Sequence, residues 1–191
     1  MTAIRDPSGV ERLHFEDSLA CLRAPIPEAA SVLDVGAGAG LPGLPMKIAR
    51  PDLRLTLLES TGKKARFLEH VVSTLGLEGA CVVNDRAETA AGRETYDVVV
   101  ARALAAMPAL LELTLPFARL EGLVIAMKKG AGLETELASA AHALDVLGGQ
   151  LEQPISYELA GEQRQLVLVR KVRPTPPAYP RRPGMPAKNP L

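Results

Sequence analysis

The stretch Asp34-Val35-Gly36-Ala37-Gly38-Ala39-Gly40-Leu41-Pro42-Gly43 decides the fold. It follows the apolar pair Val32-Leu33 and leads into a segment that reads as a helix start. Three glycines alternate with alanines, and a fourth follows Leu41-Pro42. Glycine permits positive φ and lets backbone approach a ligand with no Cβ between them. A strand that ends in such a turn and enters a helix presents free backbone N–H groups beside the ligand. Asp34 stands out, because a carboxylate at the tip of a buried strand is costly unless a partner meets it.

Two frames fit this loop. From Gly36 it reads Asp-x-Gly-x-Gly-x-Gly, with the acid just before the first glycine. From Gly38 it reads Gly-x-Gly-x-x-Gly, the dinucleotide fingerprint. The first frame suits S-adenosylmethionine better. Its acid can face the methionine ammonium, and no pyrophosphate needs neutralising. NAD remains the alternative that the second frame carries.

The 191 residues suffice for one domain with its own core. Apolar residues make up 47% and aromatics only 3%, so the core is predicted to be aliphatic. No apolar run approaches the ~18 residues of a membrane helix, and no signal-peptide block opens the chain. Cys21 and Cys81 lie far apart, with no CxxC and no histidine cluster. They read as two small buried hydrophobes, with no metal site. These features place the chain in the cytoplasm.

Around the loop, strands and helices alternate. Residues 1–30 are predicted to form a helical cap, opened by Asp6-Pro7-Ser8 and carrying Val10, Leu13, Leu19 and Leu22. His14 within it reads as a surface or packing histidine. The first strand runs from Ser31 to Val35, and Pro42 and Pro45 sit in the opening turn of the next helix. Leu53 to Leu58 is the second strand. Glu59 at its end lies 19 residues past Gly40, near the spacing of an acid that binds ribose hydroxyls. Lys63 to Leu75 is a helix with Phe67, Leu68, Val71, Val72 and Leu75 inward. Lys63, Lys64 and Arg66 open it, where positive charge opposes the macrodipole. A phosphate backbone would favour them there, and so would plain solvation. Strands follow at Ala80–Val83, Tyr96–Val100 and Leu123–Met127, with helices at Met107–Leu120 and Leu133–Leu147. Two last strands, around Glu152–Leu159 and Gln165–Val172, form a hairpin. Asp34, Glu59, Asp85 and Arg102 all fall at strand C-termini, the rim where open parallel sheets bind ligands.

The prediction is an α/β fold: a mostly parallel seven-stranded sheet with helices on both faces over residues 31–172. Residues 173–191 include seven prolines and no apolar periodicity, so they read as an extended tail. Seven basic residues and no acid follow Glu162. That asymmetry suits a basic arm for a polyanion, or a solvated tail that aids solubility.

These residues resemble the ribosomal RNA small subunit methyltransferase G family, also called glucose-inhibited division protein B. The match rests on His14-Phe15-Glu16-Asp17-Ser18-Leu19, the glycine loop through Pro45, and Leu58-Glu59-Ser60 with Lys63-Lys64 and Phe67-Leu68. It continues in Arg86-Ala87-Glu88, Tyr96-Asp97, Ala101-Arg102-Ala103 and Lys129-Gly130. It ends in Tyr179-Pro180-Arg181-Arg182-Pro183-Gly184 and Lys188-Asn189-Pro190-Leu191. Family members usually begin with a further helical segment that has no counterpart before Met1. Apolar surface which that segment would cover is therefore expected on this chain.

The resemblance implies a Rossmann-like class I fold and an enzyme that uses S-adenosylmethionine, leaving S-adenosylhomocysteine. It implies methylation of guanine N7 in the 530 loop of 16S ribosomal RNA, as free RNA or a small-subunit precursor. It places Gly36, Leu41, Glu59, Ala87, Glu88 and Arg102 around the cofactor, with Arg102 also the candidate for holding the target; Asp34, Gly38, Gly40 and Ser60 complete the set of cofactor candidates. Lys63, Lys64, Arg66, Lys128, Arg181 and Arg182 are candidates for RNA phosphates. Guanine N7 bears a lone pair and no proton, so no general base, nucleophile or metal is expected. A monomer without membrane contact is expected. A methyltransferase for another acceptor, or a non-catalytic nucleotide-binding module, are the alternatives.

Overall fold

A computed structural model describes residues 11–129 and 132–191. Asp6-Pro7-Ser8, Val10 and Gly130 of the sequence reading lie outside them. The glycine loop joins β1 (Ser31–Val35) to α1 (Gly43–Ala49). Then come β2 (Arg54–Leu58), α2 (Gly62–Thr74), β3 (Ala80–Val83), β4 (Tyr96–Arg102), α3 (Met107–Thr114) and β5 (Ala118–Lys129). The chain continues through α4 (Leu133–Ser139), α5 (Ala141–Leu147), β6 (Gly149–Leu151), β7 (Ile155–Leu159), β8 (Glu162–Lys171) and α6 (Met185–Lys188).

The strands join one sheet in the order β3-β2-β1-β4-β5-β8-β6, with β7 also on β8. β1 to β5 are parallel, and β8 runs antiparallel to β5. The predicted seven strands are eight among the described residues. β6 and β7 pair with successive parts of the same edge of β8, and Pro154 lies between them. The sheet is thus seven lanes wide. Strand order reverses between β1 and β4, which puts the glycine loop and Arg102 side by side at the switch.

Alternation along the strands fills two aliphatic layers. Val32, Leu55, Leu57, Val98, Val100 and Ile125 pack with Met46, Leu68, Cys21 and Ala24 on one face. Leu33, Val35, Val99, Ala101, Val124 and Ala126 pack with Met107, Leu111, Phe117 and Leu144 on the other. The centre of β4, Val98 to Ala101, is buried because helices or cap cover both its faces.

Several expectations shift. The cap is a succession of helical turns of changing pitch, Glu11–Glu16, Asp17–Leu19 and Ala20–Arg23. The helix predicted over Met107–Leu120 ends at Thr114, and β5 begins at Ala118. Pro116 cannot continue the helix. The helix predicted over Leu133–Leu147 divides at Ala140. On α2, Leu68 is buried, but Phe67 and Leu75 face solvent. Cys21 is buried, whereas Cys81 is exposed on the edge strand β3. Phe15, Leu19, Ile48 and Leu75 are exposed and line an open groove beside α1.

The tail is neither free nor fully extended. Tyr179 and Leu191 pack on the core layer beneath α3, and Met185–Lys188 turns into a short helix. Much of the predicted basic arm is paired internally. Lys171 Nζ is fully buried and donates to Leu115 O and Thr175 Oγ1. Arg164, Arg170, Arg173 and Arg181 meet Asp17, Glu152, Asp145 and Glu112. Arg182 and Lys188 remain exposed.

Candidate functional site

The N–H groups of the glycine loop turn largely inward. Those of Gly36 and Ala37 donate to Leu58 O at 2.9 and 3.0 Å, and those of Gly40 and Leu41 donate to Ala37 O. Gly38 N donates to Glu59 Oε2 at 2.9 Å, and Thr61 N donates to Glu59 Oε1 at 2.8 Å. Burial pushes the Glu59 carboxyl up, but these N–H groups outweigh it and hold it below the usual range. Glu59 thus ties β2 to the loop, a bracing role that the ribose spacing did not reveal.

Asp34 needs a correction. It lies within β1, not at its tip, and is almost fully buried. Oδ2 accepts the Gly43 N–H at 2.8 Å, while Oδ1 is buried without a hydrogen-bond partner among the described residues. Burial pushes its pKa up to about 7, against the pull of the Gly43 N–H and Arg102. The loop therefore combines two carboxylates with N–H groups already engaged. A pyrophosphate needs free N–H donors, and those of this loop are largely taken, so the dinucleotide frame fits poorly here. A cationic ligand fits.

Over the loop lies a cleft in two parts that share Gly36. One part, about 170 Å³, is walled by Val35, Leu58, Ala87, Leu104, Ala105 and Leu113. Ser60, Asp85, Arg86 and Glu88 stand around it, and so do Gly184, Pro186 and Ala187 of the tail. Burial pushes the Glu88 carboxyl up, but hydrogen bonding, led by the Gly184 N–H, holds it below the usual range. The other part, about 310 Å³, is more open and lies between Gly38, Leu41, Lys64, His14 and Arg102. Gly40 is buried in the turn, where a Cβ would meet Leu44 and Leu68.

Arg102 closes β4 and reaches into the cap. It donates to Leu13 O at 3.0 Å, lies 3.0 Å from His14 Nδ1, and pairs with Asp17 at 3.3 Å. Asp17 is buried, and also meets Arg164 at 2.9 Å and the Tyr157 hydroxyl at 2.8 Å. His14, read from sequence as incidental, is mostly buried in this network. Burial, with Arg102 beside it, holds its pKa below the ordinary value. Beyond Arg102 a second recess of about 300 Å³ opens between Lys128, Lys129, Met127, Tyr157 and Arg164. Arg164 Nε is buried there without an acceptor among the described residues. Arg102 thus borders both the cleft and the basic recess.

The phosphate candidates divide. Lys63, Arg66 and Arg182 are exposed, and Lys64 borders the cleft. Lys128 is half-buried and bound to Glu136 at 2.6 Å and Ala105 O at 2.8 Å. Arg181 is removed from the solvent-facing set, since its backbone and guanidinium bind Glu112. Sequence reasoning missed Asp17, Tyr157, Arg164 and the tail wall, because long-range folding alone brings them to the site. Among the described residues no cluster of His, Cys, Asp and Glu could hold a metal ion, and no helix is long and apolar enough to cross a membrane.

A family model described as rRNA small subunit methyltransferase G matches residues 1–167. The chain is 48% identical to the ribosomal RNA small subunit methyltransferase G of Halalkalibacterium halodurans, over all of this chain and 83% of that protein. It is 49% identical to the protein of that name from Moorella thermoacetica, over all of this chain and 82% of that one. In structure it resembles a SAM-dependent methyltransferase from Aquifex aeolicus, with a TM-score of 0.63 at 18% identity over 86% of this chain and 93% of that one. TYW2 of M. jannaschii in complex with AdoMet gives 0.68 at 12% identity, over 89% and 80%. The fold is that of the Rossmann-like class I methyltransferases.

Proposed function

The chain belongs to the rRNA small subunit methyltransferase G family, and on that premise we propose that it methylates N7 of a guanine in the 530 loop of 16S ribosomal RNA. The observation that carries this reading is Arg102, which borders both the cleft over the glycine loop and the basic recess beyond it. A donor in the first and a nucleic-acid base in the second would meet at that residue.

S-adenosylmethionine supplies an electrophilic methyl group on a sulfonium. The protein's own residues bind and align. The apolar walls at Val35, Ala87 and Leu104 suit a purine face, and Ser60 and Glu88 supply polar atoms at its edge. Gly36, Gly38 and Leu41 let the amino-acid portion lie against backbone, in a loop that Glu59 and Asp34 brace at Gly38 and Gly43, while the buried Gly40 keeps the turn tight. The buried Asp34 oxygen, without a hydrogen-bond partner among the described residues, favours positive charge near it. Arg102, steadied by Asp17 and the cap, orients the target at the junction. Guanine N7 needs no proton removed, so alignment carries the chemistry and the neutral His14 need not act as a base. Cys21 is fully buried, with its thiol pushed up by burial, and supplies no nucleophile.

RNA docking uses the exposed cations at Lys63, Arg66 and Arg182, with Lys64 at the cleft mouth. The test is methyl transfer to 16S RNA, free and in small subunits, from cells that lack this modification. Mass spectrometry of the digested RNA should show 7-methylguanosine within the 530-loop fragment. Methyl groups on another base, or none on either substrate, would refute the assignment.

A further inference from the structure

We propose that residues 179–191 form a wall of the nucleoside subsite, held in place by the Arg181–Glu112 ion pair, so that the tail and the purine end of the ligand bind cooperatively. This rests on the reading of the cleft as a methyl-donor site.

Gly184, Pro186 and Ala187 line the smaller part of the cleft, opposite Leu104 and Ala105. The Gly184 N–H donates to Glu88 Oε1 at 2.9 Å, so the tail is tied to an acid of the subsite itself. A second anchor lies on α3. Glu112 is fully buried, a state that a carboxylate sustains only with close partners. Arg181 provides them through its backbone N at 2.8 Å, Nε at 2.9 Å and a terminal guanidinium nitrogen at 2.6 Å. The same guanidinium reaches Asn189 O at 2.8 Å and closes the tail into a loop. Leu113, the next residue on α3, lines the cleft. Anchor and ligand wall therefore share one turn of one helix. A ligand between Leu113 and Pro186 would touch both α3 and the tail, and each would favour the other.

Hydrogen exchange of the full chain tests this with S-adenosylhomocysteine and with 5′-methylthioadenosine, which lacks the amino-acid end. Both ligands should slow exchange across residues 181–189 about fivefold or more. Arg181→Gln should weaken both ligands by the same factor and raise KM for the donor, with kcat kept within about twofold. If Arg181→Gln does not fold, the exchange measurement on the unaltered protein still decides. Binding of both ligands with unchanged exchange in the tail would overturn the proposal alone. Failure of both ligands to bind the unaltered protein would overturn the donor-site reading together with it.

Discussion

The Gly43 backbone N–H donates to Asp34 Oδ2 at 2.8 Å, so an acid inside β1 fixes the first residue of α1. The glycine loop is held between this contact and the Glu59 bond to Gly38. A Cβ on Gly43 would lie 2.8 Å from Asp34 Oδ2 and 2.9 Å from Leu57 Cδ2. Gly43→Ala is expected to cost about 1–3 kcal/mol by overpacking, read from the urea midpoint. An unchanged midpoint would show that α1 can withdraw from β1 at no cost.

Asp34 also sets a pH dependence. Its pKa is about 7 in the fold, against ~3.9 for an unfolded aspartate. The folded chain holds the proton more tightly, so stability falls as pH rises from about 4 to 7 and levels off above. Asp34→Asn keeps an acceptor for Gly43 and removes the ionisation. It should melt higher than the parent at pH 8 and flatten the profile between pH 5 and 8. Parallel profiles would mean that Asp34 is already ionised in the fold.

The buried Asp17 makes a third case. Tyr157 donates to it at 2.8 Å, while Arg164 and Arg102 supply its charge partners. Tyr157→Phe should lower the unfolding free energy by about 1.5–3 kcal/mol, the usual worth of a hydrogen bond to a charged group. Arg164→Met should cost more, because it removes a cation from a buried carboxylate. Urea titrations that rank them the other way would contradict this.

Legibility from sequence followed the range of the forces involved. Ala80–Val83 and the glycine loop carry their signals locally, in apolar runs and permissive backbone, and the structure keeps them. The hairpin of β7 and β8 follows the same rule, turning at Ala160-Gly161. The tail does not. Its place depends on Glu112 and Glu88, residues 69 and 96 positions away from their partners. No local pattern announces that a basic residue answers a distant acid. Arg181 therefore read as a phosphate ligand, and Asp34 as a carboxylate at the tip of its strand.

That distinction has a salt signature. Affinity for RNA should fall with log salt at about −0.7 per phosphate contact. Lys63→Ala, Arg66→Ala and Arg182→Ala should each flatten the slope by about that amount. Arg181→Ala should leave it unchanged, since Glu112 already engages that guanidinium. A slope altered only by Arg181→Ala would reverse the assignment.

The most direct measurement is a crystal structure of this protein with S-adenosylhomocysteine. The adenine should lie among Ala87, Leu104 and Pro186, with the amino-acid end over Gly38 toward Lys64 and Arg102. An empty cleft at saturating ligand, or the ligand bound elsewhere on the sheet, would contradict the assignment of that rim as the donor site.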